Sequence, residues 1–181
     1  MTKHALAMLA TLTLPAVACR DVPEQAGAPS PTPAYEVAQE VTEKEPPKQE
    51  ALAGMDTVIE AYLQEAQRLA DDEFSPDAAR EVSAALAQVD VAEPPEWLAE
   101  LRLAAEAYAQ AGDIATARQR FSGLSTRLIA YVEAHRTDVP VHKMRCSMAP
   151  EGIQGEWLQS ATEPHNPWYG KKMLNCGEVI W

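Results

Sequence analysis

Residues 52–69 have the sequence LAGMDTVIEAYLQEAQRL, in which the large apolar residues recur at intervals of three and four positions. This spacing places them along one face of an amphipathic helix. Three more helical stretches follow before Pro140, and short segments with start signals separate them. The predicted start signals are Ser75-Pro76-Asp77, Pro94-Pro95-Glu96 and Asp113, and Gly112 is predicted to end the third helix in a left-handed conformation.

Four helices with short connections pack most simply as an up-and-down bundle, which we predict over residues 51–138. After Pro140 the pattern changes to prolines, glycines and three of the four tryptophans. We therefore predict a mainly α fold in which the four-helix bundle is followed by a small, irregular, Cys- and Met-rich C-terminal lobe with two short strands. This lobe covers residues 139–181 and packs on the bundle. Trp157, Trp168 and Tyr169 are predicted to supply core to it.

The first 18 residues have the pattern of an export signal peptide. Lys3 and His4 precede an apolar run that is too short to span a bilayer, and the sequence Ala-Val-Ala then leads to Cys19. Small residues before a cysteine are typical of a lipoprotein cleavage site, so Cys19 is predicted to carry the lipid (diacylglycerol and palmitate). The same Ala-x-Ala also suits ordinary signal peptidase, which would release the chain.

Residues 19–50 combine the lipid-anchor cysteine with a segment rich in Pro and Glu and poor in large apolar residues. We predict a disordered tether that spans about 30 Å on average. The net charge is -12 at pH 7, and it becomes -13 when Lys3 is removed with the signal peptide. Such acidity argues against nucleic-acid binding and against electrostatic binding to an anionic membrane, so the lipid is the predicted membrane contact.

The predicted C-terminal lobe holds most of the soft metal ligands of the chain. If residues 141–148 are extended, His142, Met144, Cys146 and Met148 share one face, while Met173 and Cys176 meet across one turn. Thiolate and thioether ligands select Cu(I), and Ag(I) would compete for them. The candidate metal ligands are Cys146, Met148, Met173, Cys176 and His142.

The alternative is a disulfide between Cys146 and Cys176, as expected for a cysteine pair in an oxidising compartment. It would close a loop of about 30 residues and stabilise the lobe by roughly 3–4 kcal/mol. The methionines would then be ordinary packing residues. The spacing of the residues leaves both interpretations open.

The tail also contains longer motifs. They are Cys146-Ser147-Met148-Ala149, Trp157-Leu158, Asn166-Pro167-Trp168-Tyr169-Gly170 and Met173-Leu174-Asn175-Cys176-Gly177. With Ala61-Tyr62-Leu63, Arg120-Phe121 and Leu124-Ser125, they resemble a family of bacterial envelope domains of unknown function. The family pattern is similar to C-P-M-A, W-L and N-P-Y-[FY]-G-x-x-M-x-x-C-G, and the resemblance covers about two thirds of the chain. Ser147 stands where the family has proline, and Trp168 where it has tyrosine.

Members of this family occur as small exported proteins and attached to periplasmic adaptor subunits of copper and silver efflux pumps. The resemblance therefore implies handling of Cu(I) or Ag(I), with copper/silver efflux components or a cuproprotein as partners. It implies metal ligands at Cys146, Met148, Met173 and Cys176.

The sequence contains no phosphate-binding loop, nucleophile elbow or C-x-x-C motif, so we predict no enzyme. The predicted function is a lipoprotein on the periplasmic side of the envelope that sequesters or delivers a soft metal ion. Arg20 after the lipidated cysteine favours the outer membrane over the inner one. The alternative is a protein-interaction module whose Cys146–Cys176 pair is a structural disulfide.

Overall fold

A computed structural model of the protein describes residues 47–181. The predicted signal peptide, Cys19 and most of the predicted tether lie outside the described residues. The described part is mainly helical, with four α-helices and a three-stranded sheet. The helices are α1 (Met55–Ala70), α2 (Pro76–Ala87), α3 (Glu96–Ala109) and α4 (Ile114–Ala134). No helix within residues 47–181 has both the length and the apolar character needed to cross a membrane.

The helix starts follow the local chemistry of the chain. α2 begins at Pro76 and α3 at Glu96, and the Asp113 carboxylate accepts a hydrogen bond from the backbone N–H of Thr116 at 2.9 Å before α4. Two finer predictions are wrong. Ser75 makes no side-chain cap, and Gly112 lies beyond the end of α3 without a left-handed φ.

The segment after α4 forms a small antiparallel sheet with three strands, where the sequence predicted two. The strands are β1 (His142–Arg145), β2 (Glu156–Gln159) and β3 (Glu178–Val179), in the order β2-β1-β3. A 3₁₀ helix, Gly170–Met173, lies between β2 and β3. The central strand pairs Met144 with Trp157 on one side and with Val179 on the other.

The helices and the tail share one hydrophobic core. Each helix packs against the next in sequence, and β2 packs against both α4 and α1. Trp157 and Trp168 are buried in the same cluster as the helical residues, and the Trp168 ring lies 5.9 Å from that of Phe121. The prediction that these two tryptophans supply core is confirmed, because neither ring is free to meet solvent.

Arg118 of α4 ties the tail to the helices. Its guanidinium donates to the Pro167 carbonyl, the Leu69 carbonyl and the Asp72 carboxylate, each at 2.7 Å. Asp72 also accepts from the backbone N–H of Lys171, and the hydrogen bond from Arg118 is the main cause that lowers the pKa of the Asp72 carboxyl. The 3₁₀ helix is thereby held at the end of α1.

The chain enters the helical domain beside the end of α4. Gln49 donates its N–H to the Ala134 carbonyl at 2.9 Å and accepts from the N–H of Arg136 at 2.8 Å. Lys48 lies over the ring of Trp181, with its Nζ 5.7 Å from the ring centroid. The contacts of this domain therefore extend to residues 48–50, which the sequence analysis assigned to the tether.

Candidate functional site

Cys146 and Cys176 come together at the open end of the sheet. Cys146 directly follows β1, and Cys176 lies two residues before β3, so the pairing of Arg145 with Glu178 brings the two cysteines side by side. Their Sγ atoms are 2.7 Å apart, and no disulfide bond joins them. The structure thus places next to each other the two sulfurs that both the metal and the disulfide hypotheses require.

The two cysteines differ in how much solvent they meet. Cys146 is 2% exposed, belongs to the hydrophobic core and donates its N–H to the Gly155 carbonyl at 2.9 Å. Cys176 is half-buried, and its carbonyl accepts a hydrogen bond from the Asn166 side chain at 2.8 Å. Solvent therefore meets the pair mainly from the side of Cys176.

A small open cavity of about 190 Å³ lies at the pair, and it is lined by Arg145, Cys146, Ser147, Cys176, Gly177 and Glu178. Arg145 and Glu178 form an ion pair at 2.8 Å beside the sulfurs. Because both side chains are at least half exposed, this pair contributes little to stability. The two side chains line the opening of the cavity, where their opposite charges offset each other.

The other predicted ligands do not line this cavity. Met148 is 56% exposed, Met173 ends the 3₁₀ helix and is half-buried, and His142 begins β1. The predicted common face fails at Met148, because β1 ends at Arg145 and Cys146–Ala149 forms a turn closed by a 3.3 Å hydrogen bond. Met144 faces inward and belongs to the core. Within residues 47–181, no three His, Cys, Asp or Glu side chains converge on one point.

Contact with Cys146 changes the acidity of Cys176. The hydrogen bond between the two sulfurs is the main cause that raises the pKa of the Cys176 thiol, and partial burial adds to it. At neutral pH Cys176 is therefore mostly protonated until a base, a metal ion or a reaction partner removes its proton.

The longest motif of the tail positions Cys176. Asn166 is fully buried, and its Oδ1 accepts from the backbone N–H of Trp168 at 2.8 Å. Gly170 has a φ of +58°, and a Cβ there would collide with the Asp72 carboxylate. A Cβ on Gly177 would lie 2.7 Å from the Trp157 ring. Asn166 thus closes a local turn with the two residues after Pro167, whereas Gly170 and Gly177 lie against residues that are distant in sequence.

A second group of polar side chains lies inside the helical core and was not found from the sequence. The Glu65 carboxylate is 1% exposed and accepts from the Tyr108 hydroxyl at 2.7 Å, while Tyr62 and Ser125 share a hydrogen bond of 2.7 Å. Arg68 lies 3.1 Å from the other carboxylate oxygen but is not aligned to donate to it. These hydrogen bonds join α1 to α3 and α1 to α4, so they hold helices together. Glu65 lines none of the larger surface cavities.

We expect Glu65→Gln to make the protein more stable at neutral pH. Burial is the main cause that raises the pKa of Glu65, so its charged form is disfavoured in the folded state. The folded protein therefore loses stability as pH rises from the unfolded pKa of about 4.3 through the raised pKa of Glu65. The melting temperature of the variant should exceed that of the wild type increasingly between pH 4 and pH 7.

The matched control for this prediction is Glu60→Gln, which changes an exposed carboxylate of the same helix. It should leave the free energy of unfolding within about 0.5 kcal/mol of the wild type at each pH. A Glu65→Gln variant that melts below the wild type at pH 7 would show that Arg68 and Tyr108 more than offset the burial of the charge.

Comparison with protein-family models, with curated proteins and with solved structures finds no match for this chain.

Proposed function

We propose that the protein binds Cu(I) or Ag(I) as cargo through Cys146 and Cys176. The observation behind this proposal is the approach of the two sulfurs to 2.7 Å beside an open cavity. Two thiolates are soft donors, which favour Cu(I) and Ag(I) over harder ions. The protein is then a binding protein that sequesters or delivers a metal ion rather than an enzyme.

The donor set supports a soft monovalent ion better than zinc. A structural zinc site needs four ligands from Cys, His or acidic residues, and within the described residues no three of these converge. Metal–sulfur bonds are about 2.3 Å long for zinc and similar ions, so the sulfurs must move apart to admit one.

We propose Met148 and Met173 as transfer ligands, with His142 as a further donor. Met148 is exposed in the turn after Cys146, and its carbonyl accepts from the Tyr169 hydroxyl at 2.6 Å, which links this turn to the segment before Met173. Methionine sulfurs close to the cysteine pair would pass a soft ion onward by exchange between sulfur ligands. For this role the two methionines have to lie near the cavity, but they do not have to line it.

The proposal places the protein on the periplasmic side of the cell envelope. The pattern around Cys19 supports a lipoprotein, with the outer membrane favoured, and the resemblance of the tail supports copper/silver efflux components or a cuproprotein as partners. We also propose that α1 to α4 form the up-and-down bundle, because the connections 71–75, 88–95 and 110–113 are short and each helix packs on the next.

A second candidate function is a protein-interaction module with a structural Cys146–Cys176 disulfide. The absence of a third ligand from the cavity wall favours it, as does the core position of Cys146. In that case the pair stabilises the tail, and neither methionine has a role with metal.

The experiment that separates the two is an anaerobic Cu(I) competition titration of the reduced full chain carrying Cys19→Ser. We expect one ion per chain, and a loss of affinity on the order of a hundredfold or more in a Cys146→Ala/Cys176→Ala variant. Met148→Leu and Met173→Leu should slow transfer of Cu(I) to a competing chelator with little change in folding. Equal affinity with and without the two cysteines would reject the metal function and favour the interaction module.

A further inference from the structure

We propose that the cysteine pair is a site of thiol–disulfide exchange with a fixed direction, in which Cys176 meets the external disulfide and Cys146 resolves the mixed disulfide. The partner is a disulfide-bearing oxidant, either a small molecule or an exposed protein disulfide. The exchange itself needs no metal. Its consequence for cargo rests on the proposed function, because joining the two sulfurs removes both thiolates from a bound ion.

The direction follows from the difference in access to the two sulfurs. An external disulfide must reach the attacking sulfur, and Cys146 is 2% exposed within the core, whereas Cys176 is half-buried at the cavity. Exchange also requires the attacking sulfur, the attacked sulfur and the leaving sulfur to approach one another. An external disulfide can reach the sulfur of Cys176 without opening the core, whereas it cannot reach the sulfur of Cys146 in this way.

The resolving step follows from the distance between the sulfurs. In the first step the Cys176 thiolate attacks one sulfur of the external disulfide, and the other sulfur leaves as a thiolate that takes up a proton. In the second step the Cys146 thiolate attacks the Sγ of Cys176, and the remaining external thiol is released. The chain loses two electrons and two protons, and the external disulfide becomes two thiols. With the Sγ atoms 2.7 Å apart, Cys146 needs little movement for this attack.

The surroundings of the two cysteines support this division of roles. Cys146 is fixed by its N–H bond to the Gly155 carbonyl and by the core. Cys176 is half-buried and is followed by the exposed residues of β3, so a bulky partner can reach it from solvent.

The test uses the full chain with Cys19→Ser, so that the two tail thiols are the only ones, and oxidised glutathione as the probe. Cys146→Ala and Cys176→Ala each leave a single thiol, and the rate of glutathione addition is followed by mass spectrometry between pH 7 and pH 10. Rates are compared at their high-pH limits, where both single thiols are ionised and the comparison reports access to each sulfur. We expect addition to Cys176 to be at least about tenfold faster than addition to Cys146.

The pair itself supplies a second measurement that does not depend on either variant folding. After an acid quench at early times, any glutathione adduct on the Cys19→Ser chain should map to Cys176, and the final product should be the internal disulfide without glutathione. Equal rates for the two single thiols, or an early adduct on Cys146, would overturn the proposal. The exchange assay contains no metal, so its failure would not bear on the Cu(I) titration. Failure of the Cu(I) titration would likewise leave the result of the exchange assay standing.

Discussion

Asn166→Ala should lower the free energy of unfolding by about 2–5 kcal/mol, because it leaves buried backbone groups without partners. The Asn166 side chain is fully buried and accepts from the N–H groups of Trp168 and Tyr169 at 2.8 and 3.3 Å. It also donates to the Cys176 carbonyl at 2.8 Å. Each unpaired buried group costs about 1–3 kcal/mol. Chemical denaturation of the reduced protein measures the loss.

The control is Asn175→Ala, which removes an exposed asparagine from the same segment and should change the free energy of unfolding by less than about 0.5 kcal/mol. The Asn166 variant should also form the internal disulfide more slowly, because the Cys176 carbonyl loses its fixed partner. Similar stabilities for the two variants would mean that the tail rearranges to satisfy its own backbone, and that Asn166 does not position Cys176.

The helical part of the fold follows closely from local sequence. A proline at the first helical position fixes a favourable φ whatever the rest of the chain does, so the start of α2 at Pro76 was predictable. The end of α3 was not, because the chain needs no left-handed residue at Gly112. The sheet was underestimated because strands of two to four residues carry too little alternation to be recognised.

The candidate site was predictable in its residue types but not in its geometry. The sequence singled out Cys146 and Cys176, and the structure places their sulfurs in contact. The sequence could not show that β1 ends at Arg145. The turn that follows carries Met148 away from the face that holds Met144. The bond from Asn166 to the Cys176 carbonyl spans 10 residues and that from Tyr108 to Glu65 spans 43, and no short-range pattern signals such contacts.

Gly155→Ala should destabilise the protein by about 2–4 kcal/mol and disturb the cysteine pair. Gly155 has a φ of +76°, and an alanine in that region costs roughly 1–2 kcal/mol by itself. A Cβ at this position would also lie 2.5 Å from the Cys146 carbonyl oxygen and 2.8 Å from the Ala149 Cβ. The backbone must shift to relieve this contact, which weakens the bond from the Cys146 N–H to the Gly155 carbonyl.

Gly112→Ala is the matched control, because a Cβ there meets nothing within 4 Å and its φ is not left-handed. It should leave the free energy of unfolding unchanged or raise it by up to about 1 kcal/mol, since alanine restricts the unfolded chain. Denaturant unfolding of both variants in the reduced state gives the comparison. A Gly155→Ala variant as stable as Gly112→Ala would mean that the turn after Cys146 is loosely held. Cys146 would then lack the rigid setting that both the metal proposal and its resolving role require.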